Sequence, residues 1–185
     1  MSIAVAPTQY TVEEFLELPE HELYELVDGR LEEINVSNLS SAVAVKVIAR
    51  LDNYVSSRKL GWVFSSESYY RCFPKKIRNA RKPDVSFIAQ ERLPANWMEE
   101  GLFSIAPDLA VEVLSPNDKA YKVMSKTREY LEAGVKLVWE INPQERLILI
   151  HRLDGTVAKL KESDTLSGEN VIAGFASPVS ELFPA

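Results

Sequence analysis

The segment Leu109-Ala110-Val111-Glu112-Val113-Leu114 constrains this chain more than any other part of it. A near-continuous apolar run is what a β-strand looks like when both of its faces are covered. One carboxylate, Glu112, stands in the middle of that run. A buried and unpaired carboxylate costs several kcal/mol, or shifts its pKa until it is neutral. Glu112 therefore needs a cation, a hydrogen-bond partner, or a place where the sheet opens to solvent. A buried ion pair or an edge position would meet the same need without any chemistry.

The elements around this strand fall into an α/β order. Thr11 and Glu14 form a capping box ahead of Phe15 and Leu18, predicting a short helix that Pro19 ends. Asp28-Gly29 is a hairpin turn signal between Tyr24–Val27 and Leu31–Ile34. Ala44, Val47, Ile48, Leu51 and Val55 recur at helical spacing, predicting a long helix from Ser37 to about Lys59, stopped by Gly61. Strands are expected at Trp62–Phe73, Pro83–Ala89 and Leu109–Leu114. A second helix is expected at about Asp118–Ala133, with Gly134 as its C′ residue. Val135–Ile141 and Arg146–Arg152 then form a hairpin through Asn142-Pro143-Gln144, and the tail alternates turn signals with weak strands. A central mixed β-sheet flanked by helices suits this order.

At 185 residues the chain suits one domain, with a core over about 10–155 and a C-terminal extension over 156–185. A single cysteine, Cys72, excludes an internal disulfide framework and a multi-cysteine zinc site. Met1 to Pro7 lack the basic start and apolar stretch of a signal peptide, and no segment approaches a membrane span. A cytoplasmic location is the expectation.

Twenty-one basic against 27 acidic residues leave a net charge of −6, which counts against non-specific nucleic-acid binding. The charge is unevenly spread, however. Arg71, Lys75, Lys76, Arg78, Arg81 and Lys82 come without an intervening acid, whereas the first forty residues are rich in Glu. A nuclease keeps acids around its metal and bases around its substrate, and this segregation is compatible with one. A solvated basic loop beside an acidic surface is the plainer explanation.

Asp84 shares the character of Glu112. It follows Lys82-Pro83, which enters the sheet extended, and precedes Val85-Ser86-Phe87-Ile88. Alone, an Asp at a strand start is a turn former. With Glu112 on a neighbouring strand it could supply the oxygen pair that Mg2+ prefers, with waters and phosphate filling the octahedron. A nearby Lys would offset developing charge. Glu112 to the end of its strand spans roughly 13 Å at strand rise. The helix start to Lys126 spans roughly 12 Å at helical rise, so Lys126 can stand level with Glu112. The apolar face of that helix is expected at Val123, Met124, Thr127 and Leu131, with Lys126 on its flank as a snorkelling residue or a catalytic one. Lys119 is the rival.

Four ordered motifs, Tyr24–Leu31 (YELVDGRL), Lys82–Phe87 (KPDVSF), Pro107–Pro116 (PDLAVEVLSP) and Lys126–Val135 (KTREYLEAGV), resemble the Uma family of restriction endonucleases, within the PD-(D/E)XK nuclease superfamily. The resemblance covers about residues 10–155. It implies a restriction-endonuclease-like fold and a Mg2+ or Mn2+ site at Asp84 and Glu112. It also implies Lys126 in place of the motif lysine, displaced onto the helix, and Glu25 as an acid completing or supporting the metal shell. The implied activity is DNA phosphodiester hydrolysis, with Lys75, Lys76, Arg78, Arg81 and Lys82 available to phosphates. A homodimer follows from the superfamily, where cutting both strands takes two sites.

Glu140 and Asn142 depart from the family pattern, and no histidine lies near Asn38. Glu140, Asn142 and the acidic net charge motivate a different reading, a nuclease fold that binds nucleic acid or protein without catalysis. RNA as substrate cannot be separated from DNA by sequence. His21 and His151 lack ligand spacing, Ser115 lacks a Gly-X-Ser-X-Gly context, and there is no Gly-rich phosphate loop. Trp62, Trp97 and Trp139 read as core or rim aromatics, and Leu93–Phe103 as a surface excursion.

Overall fold

Strand alternation and helical periodicity account for most of the architecture. The computed structural model describes residues 9–184; Met1 to Pro7, read above for a leader, lie outside them. In chain order the elements are α1 (Val12–Leu16), β1 (Tyr24–Val27), β2 (Arg30–Glu33), α2 (Asn38–Arg58), β3 (Gly61–Ser65), β4 (Tyr69–Tyr70), β5 (Val85–Ala89) and β6 (Leu102–Phe103). Then come β7 (Leu109–Val113), α3 (Ala120–Glu132), β8 (Leu137–Asn142), β9 (Leu147–Arg152), β10 (Val157–Lys161), β11 (Thr165–Ser167) and β12 (Ala176–Pro178).

The central sheet has six strands in the order β10-β9-β8-β7-β5-β3. Only β7 and β8 pair in parallel, through α3; the other neighbours are antiparallel. The mixed sheet expected from sequence is therefore present, with β7, the apolar run, at its centre and buried at every position.

Alternation sorts the two faces. Val85, Phe87, Leu109, Val111, Val113, Leu137, Trp139 and Ile141 join one core with Val43, Val47, Leu51 and Val55, a four-residue-spaced stripe of α2. Ile88, Ala110 and Val138 face the other way, into a second core with Tyr130 of α3, Tyr70, Phe73 and Phe103. A third cluster joins Val12 and Phe15 of α1 to Leu26 and Tyr69.

Local signals set the boundaries. Thr11 caps α1 with the reciprocal Glu14 contact. Asp28 and Gly29 both have positive φ, the twist a two-residue hairpin needs between β1 and β2. Gly61 is required by space as well as by φ, since a Cβ there would lie 2.1 Å from the Ile88 carbonyl oxygen.

Three expectations are corrected. Trp62–Phe73 is not one strand. Ser66–Ser68 turn the chain, so β3 stays in the main sheet and β4 pairs with β6. The C-terminal extension expected over 156–185 is, in its described residues, part of the core: β10 joins the main sheet, and Leu166, Ile172, Phe175, Val179, Leu182 and Phe183 pack into the α2-side core. The buried face of α3 is also rotated. Thr127 is buried as expected, but Met124 is 70% exposed, and Glu129 and Tyr130 are buried in its place. Among the described residues, no helix is long and apolar enough to cross a membrane.

Candidate active site

Asp84 and Glu112 converge because of strand register. Val85 of β5 lies opposite Val111 of β7, so one more antiparallel step sets Asp84 across from Glu112 on the face turned toward α3. Directly opposed residues hold their Cβ atoms roughly 4.5–5.5 Å apart. The Val113 amide donates to Asp84 Oδ2 at 2.7 Å, which ties the two strand ends together. Both acids line one cleft of about 510 Å³, between the start of α2 and the start of α3.

Lys126 reaches this pair. Its ammonium donates to Glu112 Oε2 at 2.8 Å, to the Lys82 carbonyl at 3.2 Å, and lies 3.0 Å from Glu25 Oε1. Helical spacing adds Tyr130 one turn later, whose hydroxyl donates to Glu112 Oε1 at 3.0 Å. Lys119, the rival, sits at the N-cap of α3 and lines the cleft, but its ammonium makes no ion pair among the described residues.

A second tier holds Glu25. Its Oε1 accepts from the Lys82 amide at 2.7 Å, and its Oε2 from Arg81 Nη1 at 3.0 Å. Arg81 also donates through Nε and Nη2 to Glu129 Oε2, at 3.0 and 2.8 Å, and Asn79 donates to the same oxygen at 3.0 Å. Sequence reading missed Tyr130, Glu129 and Asn79. The signal was available for two of them, since residues three and four beyond Lys126 on a helix flank the same site. Asn79 carried no local signal.

The electrostatics follow from burial. Glu112 is 8% exposed. Desolvation, with Asp84 and Glu25 nearby, raises its pKa to about 8 despite the pull of Lys126. Burial likewise raises Asp84 above the ordinary carboxylate range, against the opposing effects of Lys126 and the Val113 amide. Burial would also raise Glu25, but Lys126, Arg81 and the Lys82 amide outweigh it and hold Glu25 low. Burial alone would lower Lys126; Glu112, Glu25 and Asp84 raise it instead. The ammonium is therefore a fixed positive charge.

The donor set fits a divalent cation. Glu25, Asp84, Glu112 and Glu129 face Arg81 and Lys126, so four carboxyl groups share two cations, and this crowding adds to burial in raising the pKa of Glu112 and Asp84. Among the described residues, no three His, Cys, Asp or Glu side chains form a protein-only metal cage. Two carboxylates with room beside them match Mg2+ better, because it keeps waters and takes phosphate oxygens.

The basic run is largely structural. Arg81 and Lys82 are 4% and 5% exposed, so neither is the freely solvated base that the run suggests, although both line the cleft floor. Arg81 is fully engaged as described, and Lys82 donates to the Glu22 carbonyl over the Tyr69 ring. Lys75, Lys76 and Arg78 are at the surface beside Glu132, Asp28 and Gln9, away from the cleft lining. His21 and His151 do not meet: His21 contacts the Leu18 carbonyl, and His151 lies 3.4 Å from Glu140.

Three comparisons with known proteins bear on this geometry. The family described as "Uma2: Putative restriction endonuclease" matches residues 12–180. A solved structure described as a putative nuclease belonging to DUF820, from Anabaena variabilis ATCC 29413, superposes with a TM-score of 0.80 at 22% identity. It covers 93% of this chain and 96% of its own, a likeness of fold. A uracil-DNA glycosylase of Buchnera aphidicola subsp. Baizongia pistaciae (strain Bp) is 25% identical over 123 residues. That match takes in 60% of this chain and spans about half, 55%, of the relative's length.

Proposed function

The chain belongs to the Uma2 family described as putative restriction endonucleases, and from that premise we propose that it is a metal-dependent nuclease hydrolysing DNA phosphodiester bonds. The observation that carries this reading is the convergence of Asp84, Glu112 and Lys126, with Lys126 Nζ 2.8 Å from Glu112 Oε2 at the floor of an open cleft. Asp84 and Glu112 would hold the cation. A divalent ion there lowers the pKa of a bound water and offsets phosphate charge.

The remaining roles belong to the chain itself. Lys126, kept protonated by three acids, places positive charge where negative charge grows on the phosphate and the attacking water. Tyr130 fixes the orientation of the Glu112 carboxylate by its hydroxyl bond. Glu25 supports Lys126 from behind and is held by Arg81 and the Lys82 amide, so it positions the lysine rather than the substrate. Burial of these groups strengthens each interaction by lowering the local dielectric.

Glu140 and Asn142, which motivate a non-catalytic reading, do not line the cleft. Glu140 lies 3.4 Å from His151, and Asn142 Oδ1 accepts the Gln144 and Glu145 amides in the β8–β9 turn. The glycosylase likeness is too short and too distant to transfer an activity. Calorimetry with Mg2+ or Mn2+, and cleavage of labelled DNA, test the proposal on Asp84→Ala and Glu112→Ala. Both variants are expected to lose metal binding and cleavage together. If either variant binds metal and cuts like the parent, the assignment of that acid is wrong.

A further inference from the structure

The cleft above Asp84 and Glu112 has unlike flanks. On the α2 side, Ile34, Val36, Ala44, Val45 and Ile48 line it. Val36 is 68% exposed and Val45 is 60% exposed, so this apolar flank stands in water. On the α3 side, Lys119 and Lys122 line it with Asn117, Val123 and Asp118, whose carboxylate accepts the Ser115 amide at 2.7 Å. The remaining rim, from the helical turn before β1, the β1–β2 hairpin and the turn after β3, carries Glu22, Glu32, Glu33 and Glu67. Bases are thus confined to one flank and to the Lys126, Arg81 and Lys82 floor, while the facing flank is mainly aliphatic, broken only by the uncharged Asn35, Ser40 and Ser41, and the rim is acidic.

We propose that the cleft takes a single strand of DNA, with its bases against the aliphatic α2 flank and its phosphates along Lys119 and Lys122, and not a continuous duplex. This deepens the nuclease reading of Asp84 and Glu112 and rests on it. A duplex carries a phosphate backbone on both sides of each groove. In this cleft the second backbone would meet Val36, Val45 and the rim carboxylates, with no cation among the described residues of that flank to receive it. A single strand has the matching polarity, phosphates along one side and apolar base faces along the other. The volume agrees: about 510 Å³ lies in the small-ligand range of roughly 300–1,000 Å³, room for one or two nucleotides.

One contact marks the path. Lys122 Nζ lies 3.0 Å from Glu32 Oε2, linking α3 to the hairpin across the cleft. A phosphate entering along α3 competes with Glu32 for that ammonium. Glu32 is thus a brake on binding.

The test uses the full chain with Ca2+ and follows anisotropy of a short labelled DNA strand of mixed sequence, alone and annealed to its complement. The single strand is expected to bind about tenfold tighter or more, the worth of one well-packed base. Two phosphate contacts predict a log–log salt slope of about −1.4, and Lys122→Ala should reduce it by about 0.7. Glu32→Gln should tighten single-strand binding a few-fold. Val36→Ser with Val45→Ser should weaken it about tenfold, yet leave binding of an abasic strand of equal length unchanged. Equal or tighter binding of the duplex overturns the inference while leaving metal binding at Asp84 and Glu112 intact. Failure of the metal titration sinks the nuclease reading, and a surviving single-strand preference would then stand for the cleft alone. Absence of binding to either form overturns the inference outright.

Discussion

Arg81→Met tests whether the buried ion network holds the site in place. The guanidinium donates three hydrogen bonds, two to Glu129 and one to Glu25. A bond to a charged group contributes about 1.5–3 kcal/mol net, so three give at least about 4.5 kcal/mol if each is fully lost. Breaking buried ion pairs by removing one partner costs about 3–5 kcal/mol, a lower range that already allows for partial relaxation and meets the first figure only at its bottom. Methionine fills most of the vacated volume, so a cavity adds little. Glu25 keeps Lys126 and the Lys82 amide, and Glu129 keeps Asn79, which argues for the lower half of that range. The expected loss is therefore about 3–4 kcal/mol, measured by urea unfolding with a common slope. Adding Glu129→Gln removes one of the two stranded charges and should recover about half of it. A loss under about 1 kcal/mol, or no recovery in the double variant, would refute the claim that Arg81 anchors both acids.

Glu112→Gln should change the pH dependence of stability. With its pKa raised by burial from 4.5 to about 8, native Glu112 keeps a proton that the unfolded chain has released, so parent stability falls as pH rises across that window. The glutamine variant should lack this fall, worth a few kcal/mol at about 1.4 kcal/mol per pKa unit; parallel unfolding curves at pH 5 and 8.5 would contradict it. Tyr130→Phe removes the donor to Glu112 Oε1 and should cost about 1–3 kcal/mol while leaving the fold intact by circular dichroism. Unchanged stability would show that bond to be idle. Leu182→Ala should cost about 2–5 kcal/mol, because Leu182 lies in the α2-side core; a near-zero cost would make the C-terminal residues an appendage.

Much of the architecture was legible wherever a local rule decided it. The Thr11 capping box, the Asp28-Gly29 hairpin and the α2 stripe each depend on neighbours a few residues away. The long strand expected from Trp62 to Phe73 fails because Ser66–Ser68 turn the chain, and high β-propensity on both sides hid the break. The face of α3 was misjudged for a related reason. Its buried side is polar, built from Lys126, Glu129 and Tyr130 around the acids, so ranking by hydrophobicity turned the helix toward Met124. Hydrophobic periodicity finds the core side of a helix only when the core it faces is apolar. The ends of the basic run failed similarly: Arg81 and Lys82 look like surface bases in a list of residues, and only the fold brings Glu25 and Glu129 to Arg81.

These misreadings share an origin in the two faces of the central sheet. Along β5 and β7, residues 85, 87, 109, 111 and 113 build an apolar layer under α2, while 84 and 112 project toward α3. A sheet alternates with period two, so one register step would exchange the layers and drive both acids into the α2-side core. The cost of two buried carboxylates there, with neither Lys126 nor Tyr130 within reach, makes that slip prohibitive. The same alternation separates stability from chemistry. Truncations under α2 should lower stability without touching the acids, while isosteric changes at Asp84, Glu112 or Lys126 should alter the cleft and leave the apolar layer in place. The polar layer holds an excess of acids, four carboxyl groups to two cations, which together with burial raises the pKa of Glu112 and Asp84. A divalent cation relieves that excess, so metal should raise the unfolding midpoint of the parent and not that of Asp84→Ala.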